Sequence, residues 1–366
     1  MAISPLPQPV AVESPLGVIT GRPALKKKID NTFLIGVPFA GSVACLFWFR
    51  SHPIHAVEVV TLIVGYFIIG MGTGIGFHRY FSHKSFETYP WVAYLLGAAG
   101  SMSFQSSVLT WVTDHRRHHA QTDHCGDAHS PIVDGHCHHT DSLKGLFHAH
   151  IGWMFDDTVT DRNIYGRDLA RDPIIRFYAR THYIWPVLSL ALPGLIGYAF
   201  GGSTDAWGCV LAACLRTMLF QHSVWAVNSF GHTFGYENYN MRNNSKNNTF
   251  LAALTFGDGY HNNHHRYPRS AFHGLRKGEL DLNGIIITWL GKLGLARKII
   301  FADRYLCEKR PSDSPMRASF APAAHVSITV PPLPPQHSNW GQCSIGGAGV
   351  PSDDLPTQTR EIVTRS

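Results

Sequence analysis

The sequence predicts an all-α integral membrane protein: four membrane-spanning helices with a cytoplasmic helical cap that holds a histidine-rich metal site. Three observations lead there. Uncharged apolar stretches of spanning length recur along the chain; 23 of the 366 residues are histidine; and the patterned histidines sit in short boxes just beyond those stretches.

A bilayer core takes roughly 17–25 mostly apolar residues in helical form. Residues 32–49, 59–77 and 183–204 qualify and carry no charge, and residues 207–229 qualify apart from Arg216 and His222. A charge in mid-span is costly, so Arg216 is expected to find a partner within the bundle. A fifth stretch, 91–112, begins apolar but continues through Ser101, Ser103, Gln105, Ser106 and Ser107. It is expected to be a re-entrant or protein-buried helix rather than a span.

Positive charge sets the orientation. Lys26, Lys27 and Lys28 place the N-terminus in the cytoplasm, and Arg162, Arg167, Arg171, Arg176 and Arg180 bring the long middle segment back to that side. The short connections at 50–55 and 205–206 then face outward, and both termini are cytoplasmic. Two hairpins thereby leave every histidine box on one face. A spanning 91–112 would instead separate the boxes across the bilayer.

The expected organisation is a cytoplasmic segment 1–31, which does not resemble a signal peptide, a membrane domain 32–307, and a Pro-, Ser- and Gly-rich tail 308–366 that reads as disordered. The net charge of +6 is modest and no basic run interleaves with aromatics, which excludes a nucleic-acid surface. Seven scattered cysteines without a C-x-x-C pair argue against a complete disulfide framework. Asn243 and Asn247 head N-x-S/T sequences on the expected cytoplasmic side, where no glycosylation is anticipated.

The chemistry lies in three clusters: His78 and His83; His115, His118 and His119; and His261, His264 and His265. An H-x-x-H-H pattern is expected roughly 0.1 times by chance at this composition, and it occurs twice. Residues at i, i+3 and i+4 share one helix face, so each triplet can point into one site. His78 and His83 are five apart, about 140° around an α-helix. They converge only where the helix ends, or else serve different metals. Eight imidazoles gathered at neutral pH require something to take their lone pairs, and imidazole is the commonest metal ligand. Eight exceed one metal, so two are implied. His232, just past the last span, is a ninth candidate. Asp114, Asp123, Asp127 and Asp258 are placed to orient ligand imidazoles. The less patterned His124, His129, His136, His138, His139, His148 and His150 are left outside the site.

In order, these boxes resemble the membrane fatty acyl desaturases, specifically the acyl-CoA Δ9 (stearoyl-CoA) type. The resemblance runs from about residue 59 to 296 and includes H-x₄-H, D-H-R-R-H-H, G-D-x-H-S-P, H-A-H-I-G-W-M-F, N-S-x-x-H, G-D-G-Y-H-N-N-H-H-x-Y-P and H-G-L. It implies a di-iron centre on His78, His83, His115, His118, His119, His232, His261, His264 and His265, with Asn228 holding one metal through a water. It also implies an O₂-dependent reaction that forms a cis double bond, with Gln105 and Trp111 at the kink of a substrate tunnel. Phe272 stands where many relatives have a basic residue before H-G-L, a departure that bears on how the acyl carrier is held. No H-P-G-G haem motif occurs, so two electrons are expected from a separate ferredoxin-, rubredoxin- or cytochrome b₅-type protein and its reductase. The overall pattern looks bacterial, which would place the chain in the cytoplasmic membrane. The expected substrate is a saturated acyl-CoA desaturated at Δ9, with a lipid-linked acyl chain as the alternative carrier. Two alternatives are a membrane di-iron hydroxylase, which shares the metal but adds oxygen to carbon, and a non-catalytic metal transporter, which would place its ligands within the spans. A zinc hydrolase is disfavoured by the missing H-E-x-x-H.

Overall fold

The computed structural model describes residues 17–134, 136–140 and 142–302. The expectations for the tail from 308 lie outside those residues. The described chain is mostly helical, with little sheet. Three helical runs are long and apolar enough to cross a membrane: α1 (Arg22–Trp48), α2 (Ala56–Met71) with its continuation to Ser82, and α8 (Ile184–Ser229) with its continuation to His232. Their flanks leave Phe33, Leu46, Phe47, Val60, Leu195 and Phe200 exposed. That much apolar surface is what a lipid-facing wall requires.

α1 begins ten residues ahead of the predicted span, so Lys26, Lys27 and Lys28 lie inside its first turns. Pro23 tolerates this start because the first helical N–H groups have no partner to lose. α8 covers both of the last two predicted spans. It breaks at Gly201 (φ −147°) and Gly202 (φ +67°), a left-handed conformation that glycine adopts without cost. A Cβ on Gly194 would lie 2.7 Å from Val210, and one on Gly197 would lie 2.8 Å from the Cys209 sulfur. Gly194 and Val210 would be about 24 Å apart in a straight helix, so the two halves of α8 fold back side by side. Arg216 is buried in this hairpin and donates to Ser189 O (3.1 Å) and Oγ (2.6 Å). Its hydrogen-bond partners among the described residues are neutral oxygens.

The 91–112 stretch is two helices, α3 (Pro90–Ser101) and α4 (Val108–Gln121), rather than one. The serines that lower its hydropathy also break it. Ser103 Oγ donates to Gly100 O, Ser107 Oγ accepts from Thr110 N at the start of α4, and Phe104 and Ser106 take positive φ between them. Gln105 therefore sits on the break, not on a polar helix face.

The remaining helices are short: α5 (Ser142–His150), α6 (Arg162–Tyr165), α7 (Pro173–Thr181), α9 (Thr249–Leu254), α10 (His261–Arg266) and α11 (Leu282–Lys292). Two antiparallel strand pairs tie them down, β1 (Val18–Ile19) with β3 (Val159–Thr160) and β2 (Glu87–Thr88) with β4 (Ala296–Arg297). Phe77, Phe81, Val108, Val112, Ile175 and Tyr178 form a core that fixes α4 and α7 against the chain after α2. Cys125 and Cys137 form a disulfide in the loop after α4, and Cys45, Cys209 and Cys214 are free. One bridge needs only two close Cα atoms, here 4.5 Å apart, and spacing in a sequence cannot reveal that.

Candidate metal centre

After Met71 the helix widens. Gly72–Ser82 is π-helical, and His83 N donates to His78 O. Closing turns at i→i+5 brings residues five apart nearly into line. This is how His78 and His83 reach one place despite their spacing. They join His115, His119 and His264 in one group, while His118, His232, His261 and His265 form a second; within each group the ligand nitrogens all lie within 4.8 Å of one another.

Each H-x-x-H-H triplet is thus divided between the two groups rather than aimed at one site. Successive helical residues turn by about 100°, so i and i+4 are about 40° apart while i+3 falls on the other side of i. Accordingly His115 and His119 enter the first group and His118 the second. On α10, His261 and His265 enter the second and His264 the first.

The Nε2 atoms face inward. In the first group His83–His115, His115–His119, His119–His264 and His78–His264 are 2.8, 3.1, 2.8 and 3.0 Å apart. In the second, His232–His261, His261–His265 and His118–His265 are 2.9, 3.0 and 3.2 Å apart. Two ligands at right angles on a metal with nitrogen bonds of about 2.1 Å are separated by about 3.0 Å. Burial, reinforced by neighbouring imidazoles, holds His83, His115, His119, His261, His264 and His265 well below the usual imidazole range. Neutral lone pairs crowded this closely repel one another unless a cation takes them, so the donor set fits a pair of metal ions.

Carboxylates turn the rings. Asp127 accepts from His118 Nδ1 at 2.8 Å, Asp123 from His232 Nδ1 at 3.0 Å, and Asp258 lies 3.2 Å from His78 Nδ1. A proton held on Nδ1 leaves Nε2 free to ligate. Burial alone would push Asp127 up, but His118 outweighs it and keeps the carboxylate ionised. Asp114 does something else: it accepts from Thr160 Oγ1 and borders the cavity described below.

Two histidines outside the predicted set belong to this environment. His129 is buried, lies against His118 with tilted rings whose centroids are 4.3 Å apart, and has a buried Nδ1 with no hydrogen-bond partner among the described residues. The turn at Asp127 folds its loop back over His118. His273 is fully buried beside His264 and His78. Burial and the adjacent Arg79 guanidinium lower it to about 4. Arg79 itself donates to Asp258, Asp281 and His273. The available signal was their position within G-D-x-H-S-P and H-G-L. His138, by contrast, is exposed and pairs with Asp134.

A cavity of about 830 Å³ reaches the first histidine group, where Trp111, His115, His129 and Asn228 line it. Trp111 stacks on His115 with centroids 4.9 Å apart. Gln105 lines the cavity further along, with a buried Nε2 that has no partner. Arg22, Lys26, Asp30, Asp161 and Arg162 also line it, on the side where α1 begins. Phe272 is not among its walls; it packs against Gly284 and Phe301.

The family model described as fatty acid desaturase matches residues 53–282, the segment that carries both histidine groups. The chain belongs to the fatty acid desaturase family. Among curated family members it is 35% identical to the hex-5-enoyl-[acyl-carrier protein] acetylenase of Moorena producens, over 74% of this chain and 88% of the relative. It is 35% identical to the sn-1 stearoyl-lipid 9-desaturase of Anabaena variabilis, over 75% and 94%. It is 34% identical to the acyl-CoA C20 Δ5-desaturase of Anemone leveillei, over 75% and 83%. The chain is therefore a fatty-acid oxidoreductase by family, and the carriers named among its relatives differ.

Proposed function

We propose that this desaturase introduces a cis double bond, at the Δ9 position, into a saturated acyl chain, using O₂ and two electrons from a separate donor protein. Two irons would be held by His78, His83, His115, His119 and His264 on one side and His118, His232, His261 and His265 on the other, with Asn228 contributing through a water. The observation that carries this reading is the meeting of nine imidazoles, in groups of five and four, beside a cavity whose wall includes one of them, His115. The methylene C–H bonds of an acyl chain are too weakly acidic for a side-chain base, and bound iron supplies the O₂-derived oxidant that can take hydrogen atoms from them.

The protein's own share is placement. The cavity would receive the chain, Trp111 would fix its path beside His115, and Gln105 would stand at the bend. Asp123, Asp127 and Asp258 would keep each ring's Nε2 turned inward. α1, α2 and the two halves of α8 would make four crossings, with the histidine face and both termini in the cytoplasm.

For the carrier we favour a lipid-linked acyl chain over acyl-CoA, the carrier suggested by the sequence resemblance. The lysines near the cavity are engaged within the protein: Lys26 with Asp30, Lys27 with the Trp153 and Thr158 carbonyls, Lys28 with Asp157. Asp30, Asp114 and Asp161 line the same cavity. Arg22 and Arg162 also line it outside any ion pair among the described residues, so a CoA moiety, with its several phosphates, would meet two guanidiniums there against three carboxylates.

Expression in a host that makes no unsaturated fatty acids, followed by mass spectrometry of its lipids, tests the reaction. Loss of two hydrogens supports desaturation; gain of one oxygen would identify the hydroxylase instead. Supplying purified protein and reductant with stearoyl-lipid or stearoyl-CoA separates the carriers.

A further inference from the structure

We propose a second metal site, for a divalent cation such as Zn²⁺, formed by His55, Glu58 and Asp205 at the opposite end of the helical bundle from the histidine groups. It stands apart from the desaturase reading. Glu58 and His78 are twenty residues apart on one continuous helix, on the order of 30 Å.

The three side chains come from two distant parts of the chain. His55 and Glu58 begin α2, and Asp205 follows the Gly201–Gly202 break in α8. One ligand atom from each lies within 4.8 Å of the other two. His55 Nδ1 is 2.8 Å from Asp205 Oδ1, and His55 N donates to Glu58 Oε2 at 2.8 Å. That second bond is a capping interaction at the start of α2, which accounts for one oxygen of Glu58. It does not explain why Asp205 is brought against the same place.

Charge and space point to a cation. Glu58 and Asp205 are 3% and 6% exposed, yet among the described residues no Lys or Arg lies within ion-pair distance of either. Two carboxylates share a single imidazole, and their like charges repel across a gap that a cation would fill. Glu58 Oε1 and Asp205 Oδ2 are not taken up by these bonds and are reached by water, so both can ligate. The backbone leaves room for both groups. A Cβ on Gly208 would sit 2.6 Å from Glu58 Oε1, and one on Gly201 would collide with the Asp205 carboxylate. The His55 side chain is 48% exposed, so the site opens to water. One imidazole and two carboxylates with an open fourth position form a donor set suited to Zn²⁺. A bound ion would pin the α1–α2 connection to the bend of α8.

The test uses the full-length, iron-loaded protein in detergent at neutral pH, titrated calorimetrically with Zn²⁺ alone. Iron and zinc per chain are counted after removal of excess metal. The expected result is one retained zinc per chain with iron unchanged. His55→Ala and Asp205→Asn should each weaken zinc binding by at least about tenfold, as loss of a ligand does, while iron content and product formation stay at the wild-type level. Replacing the wild-type titrant by Co²⁺ should give the visible absorption of a low-coordinate site, absent in His55→Ala. His55→Ala changes a half-exposed side chain and keeps the test valid should Asp205→Asn fail to fold. Wild-type protein that retains no zinc beyond its iron sites would overturn the proposal. So would zinc binding that is unchanged in His55→Ala.

Discussion

Asp127→Asn tests the idea that the carboxylates, and not the histidine rings alone, build the centre. The Asp127 side chain is fully buried and receives three N–H groups: His118 Nδ1 at 2.8 Å and His129 N at 3.1 Å on one oxygen, and Asp123 N at 2.8 Å on the other. An asparagine keeps the shape but has one acceptor oxygen. Its amide NH₂ must then face either His118 Nδ1–H or the Asp123 N–H, donor against donor. If the amide faces His118, that ring loses the partner that holds its proton on Nδ1. Outer-shell substitutions of this kind cost roughly 10–100-fold in metal affinity, or about 1.4–2.7 kcal/mol at 1.36 kcal/mol per tenfold. The loss should be local. His118 belongs to the four-histidine group, whereas His78 in the five-histidine group is turned by Asp258. Competition with a chelator, read as iron per chain, should show one iron released at roughly 10–100-fold lower chelator concentration and the other close to wild type. Two irons retained with wild-type affinity would refute the assigned role of Asp127, and simultaneous loss of both would refute the division into two groups.

Other outcomes follow from the same geometry. His118→Ala should abolish desaturation while membrane insertion, followed by fractionation, is unchanged; His138→Ala, at an exposed ring, should leave product formation near wild type. Gly72→Ala should destabilise the protein by more than the usual 1–3 kcal/mol of overpacking, because the new Cβ meets the backbone of Gly100 and Ala99 rather than a side chain that can swing away; thermal unfolding measures it. Iron-free protein should lose stability as the pH falls below about 6.5, the ordinary imidazole value. Burial keeps His273 at about 4 and holds His83, His115 and His264 well below their usual range, so the unfolded chain binds more protons in that window. Melting temperatures of the iron-free protein across that range, unchanged with pH, would contradict the burial of neutral rings.

Much of this protein is legible in one dimension. Spans of uncharged apolar residues follow from the thickness of a bilayer, and the triplets on α4 and α10 follow from helical periodicity. The order of the boxes carries the family. Where the reading stopped short, the deciding forces were not local. The serines near residue 105 could equally have lined a polar helix face; only their backbone bonds show that they end α3 and start α4. The predicted third and fourth spans are one helical run bent at two glycines, and the contact of Gly194 with Val210 is what reveals the fold-back.

The centre divides in the same way. That His78, His83, His115, His118, His119, His232, His261, His264 and His265 should act together could be argued from composition and spacing. Their partition into five and four could not, because it depends on α4 and α10 lying across a shared seam. The convergence of His78 with His83 depends on a π-helical turn packed by its glycines against α3, and no periodicity in the residues announces it. His129 and His273 were passed over for a related reason: a buried imidazole differs from an exposed one only in what surrounds it, and those surroundings come from segments far away in the chain.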